Sequence, residues 1–189
     1  MMTLTSVVLS AISTFAACLS GALILLKGRN EVKKAALAAI FASSMLLNHV
    51  SGIEGMEVVF SSVLLVSAIT DAYTGEVHSI PMWLLFPAAA AGFIVRKSYV
   101  AALFGFLVWI YRKDKRLSYW FGEGDLYILA AIAMMYGTGV FRAMALGAAF
   151  ALIWCLVKRS REAFFIPFLY LGLMVSRMEI ADSLFYFFI

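Results

Sequence analysis

Charge is scarce in this chain. Asp, Glu, Lys and Arg make up 14% of its 189 residues, and 64% are hydrophobic. A soluble domain is about 25% charged and roughly 45–50% apolar. A water-soluble core of this length cannot hide that much apolar surface, because small domains leave much of their surface in water. Lipid is the solvent that fits, and a mean hydropathy of +0.96 agrees. Cysteine is also scarce. Cys18 and Cys155 each lie inside an apolar run, and no Cys-x-x-Cys occurs, which excludes a four-cysteine zinc site. They read as small buried apolar residues. The two histidines, His49 and His78, stand in no metalloprotease-like helical spacing with an acid. No metal and no cofactor are expected. Basic clusters interleaved with exposed aromatics are absent too, so the net charge of +4 does not point to nucleic acid.

What is present is a series of apolar runs. They fall at Leu4–Leu26, Ala35–Val50, Met56–Thr70, Ile80–Val95, Ser98–Tyr111, Leu126–Tyr136, Ala143–Val157 and Ala163–Val175, followed by an apolar tail to Ile189. The first has no basic stretch before it and is too long for a signal-peptide core, so it reads as a retained span. Several runs are shorter than the ~20 residues that cross a bilayer core. The expectation is an all-α, polytopic transmembrane helix bundle of six to eight spans. Loops are short and no linker interrupts them, so residues 1–189 read as one domain.

The basic residues orient this layout. Lys27, Arg29, Lys33 and Lys34 follow the first run. Arg112, Lys113, Lys115 and Arg116 follow the fifth, and Lys158, Arg159 and Arg161 follow the seventh. These junctions lie on one side and hold all but Arg96, Lys97, Arg142 and Arg177 of the 15 Lys and Arg residues. That side reads as cytoplasmic, with the N-terminus outside. Ala143, Gly147 and Ala151 recur four apart on one face of the seventh run, a spacing that lets helices approach closely.

Four aspartates remain to be explained. Asp114 lies in the basic Arg-Lys-Asp-Lys-Arg loop and reads as solvated; Asp182 reads as interfacial. Asp71 ends the third run and Asp125 opens the sixth. Two spans separate them, so both carboxylates meet the membrane boundary on the same, cytoplasmic side. Ionisable residues at such a boundary are functional candidates. The alternative is an interfacial charge that merely ends a helix. Gly122-Glu123-Gly124-Asp125 puts two glycines beside one acid, where an extended substrate strand can approach the backbone closely.

In these residues the chain resembles the type IV prepilin peptidases and archaeal preflagellin peptidases, the membrane aspartyl proteases with a Gly-x-Gly-Asp motif. Asp125 matches that motif. Asp71, in Asp71-Ala72-Tyr73-Thr74-Gly75-Glu76-Val77, resembles the first-aspartate motif, which usually continues to an apolar-Pro-Asn step. Here either Ile80-Pro81-Met82 is that step, set further along, or Val77-His78-Ser79 occupies its place; the asparagine is missing in both cases. Many members carry a lysine soon after the second aspartate, where Leu126 and Tyr127 stand here. The resemblance covers about half the chain, Val58 to Gly139. No cytoplasmic paired-cysteine loop is present, so the likeness is to the compact, cleavage-only form. Presenilin-type proteases share Gly-x-Gly-Asp, but Pro87-Ala88-Ala89 does not match their Pro-Ala-Leu motif.

The resemblance implies an aspartic endopeptidase with Asp71 and Asp125 catalytic. One ionised carboxylate takes a proton from water while the other, protonated, donates to the peptide carbonyl, and the pair titrates jointly. The implied substrate is a prepilin or preflagellin with a short basic leader and an apolar helix, cut at the cytoplasmic face of the cell membrane. Gly122 and Gly124 would line the substrate strand. Glu76 and Glu123 would attract the basic leader, or else are ordinary interfacial charges. His78 reads as solvated and His49 as an interface residue. The alternative is a small transporter or channel component, with the same aspartates on a proton or cation path.

Overall fold

The computed structural model describes residues 4–27, 34–53, 55–75, 79–96, 98–114, 122–159 and 163–178. Among them the fold is all helical. The elements are α1 (Leu4–Lys27), α2 (Lys34–Val50), α3 (Met56–Thr74), α4 (Ser79–Arg96), α5 (Tyr99–Lys113), α6 (Glu123–Tyr136), α7 (Gly139–Lys158) and α8 (Phe165–Ser176). Each apolar run became one helix. Two, α3 and α7, are long and apolar enough to cross a bilayer by length and composition.

The boundaries moved at the two helices that matter most. α3 does not stop at Thr70. It continues to Thr74, where Gly75 adopts a left-handed conformation (φ 68°) and donates its N–H to the Asp71 carbonyl at 2.8 Å. Asp71 therefore lies in the last turn of the helix. α6 begins at Glu123, three residues ahead of the expected start at Leu126, with Gly122 as its extended N-cap. The polar stretch is helical because acids are favourable at the positive end of a helix. The α7 helix likewise starts at Gly139, ahead of Ala143.

Two helices form the centre. α3 is buried on nearly every face from Ser61 to Asp71, and α6 from Ile128 to Ala133. A helix apolar all round belongs inside a bundle. α3 packs on α1, α4 and α8; α6 packs on α4, α5 and α7. The two run antiparallel. Phe60, near the start of α3, meets Tyr136, at the end of α6, edge to face with ring centroids 5.7 Å apart. Antiparallel packing carries the end of α3 and the start of α6 to the opposite pole, and that is where the two aspartates lie.

Small and polar residues fasten the outer helices. α7 and α8 approach most closely where Gly172 faces Ala143 and Gly147; a Cβ on Gly147 would sit 3.0 Å from the Phe168 carbonyl oxygen. Ala143 and Gly147, two of the three small residues read as one face of α7, thus meet α8. Asn48 of α2 is 1% exposed and donates to Ser10 and Thr14 of α1 at 3.3 and 3.2 Å. Its own oxygen accepts from Ser61 of α3 at 3.3 Å. Every hydrogen-bonding partner of this buried amide comes from a neighbouring helix, which removes the cost of burying it.

Candidate active site

Asp71 is 7% exposed, and its environment explains how a carboxylate is tolerated there. The first N–H groups of a helix have no partner within it. Phe164, the N-cap of α8, offers no side-chain acceptor. The Oδ2 atom of Asp71 takes that role from across the bundle and accepts the Ile166 N–H at 3.2 Å. A negative group at the positive end of α8 is also favoured by the helix dipole. The same contact fixes the rotamer of Asp71 against the start of α8.

Asp125 is held by its own helix. It is the third residue of α6, and the N–H of the N-cap residue Gly122 donates to its carboxylate. This is the return half of a capping box, in which an acid at the third helical position satisfies the N-cap amide. The fit is close. A Cβ on residue 122 would lie 3.1 Å from Asp125 Oδ2, tighter than ordinary van der Waals contact. The first glycine of Gly-x-Gly-Asp is thus explained by the space the carboxylate needs, since its backbone (φ −68°, ψ 143°) suits any residue.

The two carboxylates line one cavity of about 560 Å³ and interact electrostatically. Gly122, Gly124, Glu123 and Tyr127 line it from α6, and Met82, Phe164 and Phe165 supply apolar wall. Of the two continuations weighed for the first motif, Ile80-Pro81-Met82 falls in the first turn of α4, and Met82 reaches the cavity wall. Val77 and His78 lie outside the described residues, as do Glu76 and Asp182.

Glu123 is engaged. Tyr127, one turn on, donates its hydroxyl to Glu123 Oε1 at 3.0 Å. Arg112, in the last turn of α5, donates to the Tyr127 hydroxyl oxygen and stands 4.0 Å from Glu123 Oε1. Its guanidinium lies 5.7 Å from the centre of the Tyr127 ring, and Phe86 of α4 packs edge to face with the same ring. Sequence reasoning missed this group. In the sequence Arg112 is one of a run of basic residues at a helix end, and Tyr127 stands where many members of the resembled family carry lysine. The four-residue spacing of Glu123 and Tyr127 was the available signal.

Among the described residues no three His, Cys, Asp or Glu side chains converge into a metal-binding group. What the cavity offers is a pair of carboxylates with an apolar wall and a cation–phenol–carboxylate chain at its rim. Two interacting carboxylates can hold one proton between them, one accepting from water while the other donates to a carbonyl. Comparison of the chain with protein-family models, with curated proteins and with solved structures finds no match.

Proposed function

We propose that the chain is a membrane aspartyl endopeptidase that removes the short basic leader from prepilin- or preflagellin-like substrates. The observation that carries this reading is the sharing of one cavity by Asp71 and Asp125, brought there from antiparallel central helices. The pair activates a water molecule, which attacks the scissile carbonyl. One carboxylate takes the water's proton and the other gives its own to the carbonyl oxygen. Collapse of the tetrahedral intermediate then releases the amine, which leaves with a proton from the pair. Asp71 is engaged at Oδ2 by Ile166, so Oδ1 is the oxygen available to water.

The bundle is read as polytopic, with six to eight spans in the cell membrane, its N-terminus outside and its catalytic end at the cytoplasmic face. Its exterior supports this. Ile12, Phe15, Trp83, Ile94, Leu152, Ile153, Leu156 and Val157 are all exposed apolar side chains on helix flanks. Exposed apolar side chains in this number are what a lipid-facing exterior would present. By length alone, α1, α3, α4 and α7, at 18 to 24 residues, fall within the roughly 17–25 residues of a spanning helix, and α3 and α7 also pass on apolar composition. The basic ends of α5 and α7 are at the aspartate pole, as the positive-inside rule requires of a cytoplasmic face.

The test is incubation of the purified chain, in detergent or lipid, with a prepilin or preflagellin. Wild type shortens the substrate by its leader; Asp71→Asn and Asp125→Asn do not. Full cleavage by either variant overturns the assignment. Ion flux through reconstituted protein that cleaves nothing replaces it with a transport function.

A further inference from the structure

The pole away from the aspartates carries a second polar cavity, of about 270 Å³, enclosed by α6, α7 and α8. Glu57 lies in the first turn of α3 and Asp71 in its last, which separates the two poles by about 21 Å of helix. Arg142 and Arg177 line this cavity together with Tyr136, Thr138 and Ser176. Arg177 is built in. Its Nη2 donates to Glu57 Oε2 at 3.1 Å, and its guanidinium lies 5.6 Å from the centre of the Tyr136 ring. Those two contacts fix the plane of a group that has five donors in all.

Three features of the lining favour a negative ligand. Two guanidiniums share a small cavity; Glu57 offsets the charge of Arg177 from behind, and among the described residues no acidic side chain belongs to the lining itself. Thr138 and Gly139 bring in the start of α7, a 20-residue helix without a side-chain capping bond, although the Val140 and Phe141 N–H groups already donate to the Gly137 and Thr138 carbonyls. The positive end of a helix complements an oxyanion. The Thr138 hydroxyl adds a neutral donor, whereas that of Ser176 already donates to the Leu173 carbonyl oxygen at 2.7 Å and offers the ligand no proton. Guanidinium forks match phosphate oxygens in geometry.

We propose that this cavity binds a phosphate group, carried by a lipid headgroup or by free phosphate. The site is distinct from the aspartates, and its test does not depend on cleavage. The full chain is reconstituted in nanodiscs of phosphatidylcholine with or without phosphatidylglycerol, and retained lipid is counted by native mass spectrometry. In parallel, inorganic phosphate is titrated into detergent-solubilised protein by calorimetry. Arg142→Gln, a change at an exposed residue, should weaken binding by about tenfold or more, the loss of a charge-assisted hydrogen bond. Arg142→Glu should abolish it. Arg177→Gln should weaken it too, and Glu57→Gln, which frees Arg177, should not. Retention of phosphatidylglycerol without a phosphate response assigns the site to a lipid headgroup; a phosphate response in detergent assigns it to the bare anion. No binding by wild type, or equal binding by wild type and both Arg142 variants, overturns the proposal.

Discussion

Ile166 donates its backbone N–H to Asp71 across 95 residues of sequence, so the start of α8 is fastened to a candidate catalytic carboxylate. One side chain is asked to do two jobs, and substitutions separate them. Asp71→Asn keeps an oxygen acceptor for Ile166; Asp71→Ala removes it. Both should abolish cleavage. Only alanine should also destabilise, by about 0.5–2 kcal/mol, the usual cost of losing a helix N-cap. Denaturant titration of the two variants side by side measures the difference.

Gly122→Ser separates stability from activity in the opposite sense. Serine is a better N-cap than glycine by a few tenths of a kcal/mol. Its Cβ, however, would stand 3.1 Å from Asp125 Oδ2. The expected outcome is unchanged or slightly higher stability with kcat reduced by about tenfold, equivalent to ~1.4 kcal/mol of lost transition-state stabilisation. Equal kcat in variant and wild type would show that the contact does not position the carboxylate.

Arg112 holds the acid that a basic leader would need. Arg112 and Glu123 are exposed, with 66% and 55% of their side chains accessible, and their 4.0 Å pair is loose. Exposed pairs contribute about 0–1 kcal/mol, so a substrate lysine or arginine can exchange with Arg112 at small cost. Arg112→Gln should therefore leave stability within about 1 kcal/mol. It should lower KM for a basic-leader substrate severalfold and leave kcat alone. Added salt should narrow the gap, since screening weakens exposed pairs. A KM that ignores the substitution argues against Glu123 as the leader's contact.

Asn48 predicts a different failure. Asn48→Leu fits an apolar interior but leaves Ser10, Thr14 and Ser61 without their shared partner. Loss of a buried hydrogen-bonding partner costs about 1–3 kcal/mol. Thermal unfolding in detergent should register that loss. Cleavage at permissive temperature should not change, because the cluster is remote from the aspartate pole.

Much of this architecture could be read from the chain. Eight apolar runs gave eight helices because a buried backbone must satisfy its hydrogen bonds, and a helix does so within each run. The convergence of Asp71 and Asp125 was legible as parity: an even number of intervening helices, α4 and α5, returns the chain to the same end of the bundle. The partners of those acids were not legible. Nothing in the local sequence around Asp71 points to Ile166, because that bond depends on how α3 and α8 pack. The return bond from Gly122 to Asp125 was in principle visible from the three-residue spacing of a capping box, but glycine there was read as room for substrate. The role of Arg112 was hidden by its neighbours, since a basic run at a helix end is sufficiently explained by topology.

The α7–α8 contact offers the sharpest test of packing. Gly172 meets the Ala143 carbonyl and the backbone of Gly147 with no space for a side chain. Backbone atoms cannot step aside as a flexible side chain does, so Gly172→Leu must push the helices apart. Overpacking of this kind typically costs about 1–3 kcal/mol. Displacement of α8 also moves Ile166, and with it the donor that holds Asp71. Gly172→Leu should therefore lose activity beyond what its stability loss explains, even at temperatures where it stays folded. Gly105→Leu, on α5, meets nothing within 4 Å and serves as the control, with both properties expected near wild type. Full activity in folded Gly172→Leu would show that α8 does not transmit its position to the aspartate pole.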